Sequence, residues 1–148
     1  MKKIIFFSLI ISLIIGSCAK EKKSPIEGAW QLVFAQIIAG DTVSKSLPGD
    51  ALGSQIKIIT KEHFIFVGQF TFLPDSTSSD NYGVGTYKFE GDRFEENAKY
   101  SSSKSSVGKK IRLLTEIRND TLIQKYPADD DWKINKSKYN LIKFIRLE

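Results

Sequence analysis

Alternation of apolar and polar side chains is the feature that most limits what this chain can fold into. From Glu27 onward, short runs with a period of two residues recur, and clusters of Gly, Asn, Asp and Ser separate them. Side chains of an extended strand point alternately to its two faces, so this period is typical of strands with one buried face. No segment carries a long apolar stripe at helical spacing. The pattern predicts an all-β chain.

The runs predict eight strands that follow one another as antiparallel hairpins. The links Lys61-Glu62, Gly91-Asp92 and Asn119-Asp120 have the length of tight turns, and the last two contain favoured turn residues. Of a barrel and a sandwich, we expect the up-and-down barrel, because a meander lets the last strand pair with the first and leaves no exposed edge. The predicted strands are Glu27–Ile38, Gln55–Thr60, His63–Phe72, Tyr82–Glu90, Arg93–Ser101, Lys109–Arg118, Thr121–Tyr126 and Tyr139–Leu147.

Four links are longer than a turn requires and alternate with the three tight turns. Alternate links of an up-and-down barrel emerge at the same end, so the long links should form one rim and the tight turns the other. The long links are Ala39–Ser54, Leu73–Asn81, Ser101–Gly108 and Pro127–Lys138.

The alternation also assigns an inner face that carries both aromatic and polar side chains. Four Phe residues share one face of the third predicted strand, and one face of the fifth carries Glu96 among apolar residues. Most of these positions are core, but buried polar groups need partners, water or a ligand. The candidate ligand-binding residues are Phe64, Phe66, Phe70, Phe72, Glu96, Tyr100, Gln124 and Tyr126.

The N-terminus has the pattern of an export signal. Lys2 and Lys3 precede a twelve-residue apolar run, Ile4–Ile15, which suits a signal peptide and is short of the roughly 20 residues that span a bilayer. The run leads into Ile15-Gly16-Ser17-Cys18, which contains the only Cys of the chain. This motif resembles the lipobox of bacterial lipoproteins. The alternative is an ordinary secreted protein with a chance Cys near its cleavage site.

The lipobox resemblance implies that the chain is cut before Cys18 and that lipid is attached to this residue. Removing the first 17 of 148 residues leaves 131, and residues 18–25 form a short charged tether ending in Pro25. No Asp follows Cys18, so similarity to the better-known bacterial sorting scheme favours the outer membrane, facing the periplasm. Exposure at the cell surface remains open.

Gly28-Ala29-Trp30 at the start of the first predicted strand and Arg146 near the end of the last resemble the lipocalin-like (calycin) arrangement. That resemblance implies a barrel, residues 26–148, in which Trp30 plugs one end and Arg146 packs over the indole. The sequence departs from the lipocalin pattern in two respects, because it shows neither a Thr-Asp-Tyr run between strands nor a helix after the last strand. The last strand also lacks the Arg-x-Tyr with which the related fatty-acid-binding proteins hold a carboxylate.

Several function classes find no support in the sequence. One Cys and one His cannot build a zinc site or a disulfide framework. Without Lys2 and Lys3 the formal net charge falls from +5 to +3, and basic residues are interleaved with acidic ones, which argues against nucleic-acid binding. No nucleophile motif accompanies His63. We therefore expect no catalytic residues, no metal and no cofactor.

Two functions remain. The first is a membrane-anchored, non-catalytic binding module for a small, apolar ligand. The second is a structural or protein-interaction lipoprotein of the envelope, with a barrel filled by its own side chains.

Overall fold

A computed structural model of the chain describes residues 23–73 and 75–147. The predicted signal peptide and Cys18 lie outside the described residues. The described chain is all-β, with nine strands and one short 3-10 helix, Lys104–Ser106. The strands are β1 Gly28–Ala39, β2 Thr42–Leu47, β3 Ala51–Ile59, β4 His63–Phe72, β5 Thr77–Glu90, β6 Arg93–Ser101, β7 Lys110–Arg118, β8 Thr121–Tyr126 and β9 Lys138–Arg146. Among these residues, no helix is long and apolar enough to cross a membrane.

Eight of the strands form a closed antiparallel barrel, which confirms the predicted fold class. Strands β3 to β9 pair in sequence, and β1 closes the ring by pairing with β3 over Gly28–Gln31 and with β9 from Trp30 to Ala39. Closure gives each of these eight strands a partner on each side, so the barrel itself has no edge strand.

The tight turns lie at one end of the barrel and the longer links at the other. Gly91 and Asn119, the first residues of two of the tight turns, have φ of 63° and 52°, the left-handed conformation that two-residue hairpin turns require. The third tight link, residues 60–62, is held by the backbone hydrogen bond from Thr60 to His63. The predicted rims are therefore present.

The ninth strand, β2, was not predicted. The sequence TVSKSL predicts part of the long link Ala39–Ser54, because it contains only two apolar residues. In the structure its first four residues are exposed. β2 pairs with the part of β1 that β3 leaves free, over Ala35–Ala39. It therefore extends the rim on the side of the long links.

Tyr100 was expected on the inner face, and that expectation is wrong. Val84 lies opposite Tyr100, whereas Gly85 lies opposite Ala98, so Lys99 is an extra residue in β6. Such a β-bulge reverses the alternation beyond it. Ala98, before the bulge, is buried in the same alternation as Phe94 and Glu96, whereas beyond it Tyr100 is 59% exposed on the outside and Ser101 lines the cavity.

Candidate functional site

The half of the barrel nearest the tight turns is solid. Its core consists of large side chains that are at most 2% exposed, namely Ile26, Trp30, Ile59, Phe64, Phe94 and Leu122. The rings of Phe94 and Tyr87 stack at 4.7 Å between centroids. This packing leaves no room for a ligand at that end.

A short N-terminal turn closes the same end. The Trp30 indole N–H donates to the Ile26 carbonyl at 2.9 Å, and the guanidinium carbon of Arg146 lies 4.1 Å from the Trp30 ring centroid. Arg146 also donates to the carbonyls of Glu27 and Pro25 at 2.9 and 2.7 Å. Arg146 thus fastens the turn to the last strand while covering the indole.

The other half contains a cavity of about 400 Å³, which lies within the range usual for small-molecule sites. It opens between the long links, and β2 forms part of its mouth through Lys45, Ser46 and Leu47. The apolar part of its wall comprises Leu32, Ala35, Ile37, Leu47, Ala51, Phe66, Phe70, Phe72, Ala98, Ile111, Leu113, Ile142 and Phe144.

A buried ion pair forms part of the lining. Lys57 is 2% exposed, and its Nζ lies 2.7 Å from Oε1 of Glu96, which is 6% exposed. Lys57 also donates to Oε1 of Gln124 at 3.0 Å, and Gln124 in turn donates to the Thr115 hydroxyl at 3.1 Å. Three rings surround the ammonium, with the centroid of Phe94 nearest at 5.0 Å. The charge of Lys57 is therefore balanced and hydrogen-bonded inside the barrel.

Tyr126 also lines the cavity, and the charge of Glu96 affects the pKa of its phenol. Burial raises the pKa of Tyr126 to about 12, and the negative charge of Glu96 adds to the shift. The phenol is therefore neutral at physiological pH, and its hydroxyl can both donate and accept a hydrogen bond.

A glycine in β5 makes room for one of the aromatic walls. Gly83 lies directly opposite Phe66 of β4. A Cβ at position 83 would lie 2.5 Å from the Phe66 ring carbons Cε1 and Cζ. The missing side chain thus lets the ring lie against β5 instead of projecting further into the cavity.

The structure brings five of the eight predicted ligand-binding residues into one cavity and places the other three elsewhere. Phe66, Phe70, Phe72, Glu96 and Tyr126 line the cavity. Phe64 packs in the solid half, Gln124 lies behind Lys57 with 0% exposure, and Tyr100 is outside.

Sequence reasoning missed Lys57. In the run Gln55-Ile56-Lys57-Ile58-Ile59, the pattern suggests Ile56 and Ile58 as core positions. These two residues are 39% and 43% exposed, however, while Lys57 is buried. The hairpin register carries the missing signal, because Lys57 lies opposite Phe66 and Ile59 opposite Phe64. Directly opposite residues of two paired strands share a face.

Within residues 23–73 and 75–147, no group of three or more His, Cys, Asp or Glu side chains is placed to hold a metal ion. Comparison with protein-family models, with curated proteins and with solved structures gives no match.

Proposed function

We propose that the chain is a non-catalytic, lipocalin-like module that binds a small, mainly apolar ligand inside its barrel. The cavity carries this proposal. It measures about 400 Å³, opens at one rim only, and has walls of Phe, Leu, Ile and Ala. Apolar cavities of this kind, with a few convergent polar groups, are the usual form of small-molecule sites.

The division of the barrel into a solid half and a half that contains the cavity also supports a binding function. Trp30 and Phe94 fill the end at the tight turns, so a ligand enters only between the long links. Burial of an alkyl or aromatic group against the walls contributes about 25 cal/mol for each Å² removed from water.

The test uses a chain that starts at Ala19, which retains every strand and the plug because they lie within residues 24–147. Native mass spectrometry should show a co-purified small molecule, and an apolar fluorescent probe should bind with one-to-one stoichiometry. Ala98→Leu, which fills the cavity from its wall, should reduce probe binding. Lys99→Leu adds the same side chain on the outside and should not. Equal binding by both variants would contradict the proposal.

We further propose that Cys18 carries the lipid that anchors this module to the envelope, most simply at the periplasmic face of the outer membrane. The lipobox-like Ile15-Gly16-Ser17-Cys18 supports this proposal. Metabolic labelling with a fatty acid should mark the full chain and leave the Cys18→Ser variant unlabelled. Labelling of the variant would refute it.

A second candidate function is interaction with an envelope protein, and one surface favours it. Ile56, Val67 and Tyr82 form a row across β3, β4 and β5 and are 39%, 59% and 45% exposed, with Ile58 and Ile65 in the next row. Contiguous apolar patches often mark interfaces. Crosslinking in intact cells should then trap one protein, and Val67→Glu should abolish the adduct. Val43→Glu, on β2, is the matched control.

A further inference from the structure

The charged groups that line the cavity cancel. Two are basic, Lys45 and Lys57, and two are acidic, Asp50 and Glu96. Lys57 and Glu96 are joined inside the barrel at 2.7 Å. Lys45 is exposed at the mouth, where its Nζ lies 5.1 Å from the centroid of the Phe72 ring. Asp50, near the mouth, accepts hydrogen bonds from the backbone and side chain of Ser46 at 2.7 and 3.2 Å.

Inside the barrel, the buried pair offers an ionic head group no free counter-charge. An anionic head group would have to compete with Glu96 for Lys57, whose Nζ already donates to both Glu96 and Gln124. A cationic head group would have to take Glu96 from Lys57. Either exchange leaves one buried charge without its partner, and transfer of an unpaired charge out of water is strongly unfavourable.

Neutral polar groups complete the lining. The Asn81 amide donates to Oε1 of Gln55 at 2.8 Å across β4, and both side chains line the cavity. Asn140 and the neutral hydroxyl of Tyr126 lie on the opposite side of the barrel, in β9 and β8. These groups can exchange hydrogen bonds with an uncharged head group without separating any ion pair.

We infer that the cavity selects an uncharged amphiphile. Its alkyl or aromatic part lies along the Phe wall, and its neutral hydroxyl, ester or amide group lies either against Glu96 and Tyr126 or against the Gln55–Asn81 pair on the opposite side. This inference rests on the proposed binding function and specifies its ligand class. The Lys57–Glu96 pair determines the selectivity because it makes the polar part of the cavity neutral.

The test compares three probes that share a decyl chain and differ only in the charge of the head group: decanamide, decanoate and decyltrimethylammonium. Isothermal titration calorimetry at pH 7.5, below the concentrations at which the probes form micelles, measures each dissociation constant for the chain that starts at Ala19. We expect decanamide to bind at least tenfold more tightly than either ionic probe. This ranking needs no substitution.

A charge-switching variant then tests the role of the pair. Glu96→Gln leaves Lys57 as an unbalanced cation, so decanoate should bind at least tenfold more tightly than it binds the unaltered chain. Glu95→Gln is the matched control, because the neighbouring Glu95 points outward to Lys110 and Arg112 and its loss should not change the ranking. Circular dichroism establishes that each variant is folded.

The outcomes separate the two proposals. If decanoate or the quaternary amine binds the unaltered chain as tightly as decanamide, the cavity binds ligands but the inference is wrong. A folded Glu96→Gln variant without improved decanoate binding would also overturn it. If none of the three probes binds and no ligand co-purifies, the proposed function itself fails, and this inference fails with it.

Discussion

Separating the buried Lys57–Glu96 pair should destabilise the fold strongly, whereas replacing both residues should not. Lys57→Met leaves the Glu96 carboxylate and the Gln124 carbonyl without their donor, and these side chains are only 6% and 0% exposed. Removing one partner of a buried pair typically costs about 3–5 kcal/mol. That is a large fraction of the roughly 5–15 kcal/mol that stabilises a whole domain.

Glu96→Gln should cost less than Lys57→Met. The ammonium keeps its hydrogen bond to Gln124 and its three surrounding rings, the nearest centroid being 5.0 Å away. We expect a loss near the lower limit for a broken buried pair, about 3 kcal/mol. The double variant Lys57→Met/Glu96→Gln contains neither charge, and the amide introduced at position 96 can donate to the Gln124 carbonyl. It should therefore lie within about 1.5 kcal/mol of the unaltered chain.

Urea unfolding followed by tryptophan fluorescence measures all four free energies, because Trp30 is fully buried in the solid half. Lys110→Met provides the control. Its Nζ lies 2.8 Å from Glu95, a similar separation, but the lysine is 62% exposed, and such a surface pair contributes at most about 1 kcal/mol. Two results would show that Lys57 and Glu96 are not coupled. The first is a loss of unfolding free energy in Lys57→Met no larger than that in Lys110→Met. The second is a loss in the double variant equal to the sum of the losses in the two single variants.

Three further predictions follow from the walls and the plug. Gly83→Ala should push the Phe66 ring into the cavity and weaken probe binding. Adding Phe66→Leu to that variant should restore part of the lost affinity. Unchanged affinity in the single variant would contradict this account of the packing. Arg146→Lys should lower the free energy of unfolding, measured by urea denaturation, by about 2–4 kcal/mol. The variant loses the stacking on the Trp30 indole and the two hydrogen bonds that the guanidinium donates. Arg118→Lys, on the exposed surface, should have no measurable effect. Tyr126 should ionise after ordinary tyrosines in an alkaline absorbance titration, because its folded pKa of about 12 is above the unfolded value near 10. The stability that the neutral phenol contributes is therefore intact below about pH 10 and is lost towards pH 12, by at most about 3 kcal/mol. Tyr126→Phe should abolish that part of the loss.

The barrel was predictable because its signals are local. Gly91-Asp92 and Asn119-Asp120 mark hairpins whose register follows from the turn, and the order of long and short links then fixes which end is open. These signals depend on a few neighbouring residues and do not require knowledge of distant contacts.

The missed features depend on contacts that the alternation does not encode. Strand β3 is apolar on both sides of Lys57, so its own alternation does not show which face is buried; that becomes clear only from its register with β4, where Lys57 lies opposite the inward Phe66. Lys57 is buried because Glu96, 39 residues away in sequence, supplies its counter-charge. The bulge at Lys99 likewise shows only in the pairing of β6 with β5, which is why Tyr100 was placed on the wrong face.

The contrast between the two halves of the barrel comes from the size of the inward side chains. The same eight strands run through both halves, and an eight-stranded barrel is just wide enough for its own side chains to fill it. At the closed end the inward positions hold Trp30, Phe64 and Phe94, which meet at the axis. Nearer the mouth, Ala51 and Ala98 take such positions and leave the cavity between them. The small inward residues of β3 and β6 therefore leave space beside the Phe wall of β4, and enlarging Ala51 and Ala98 should fill the cavity without changing the topology.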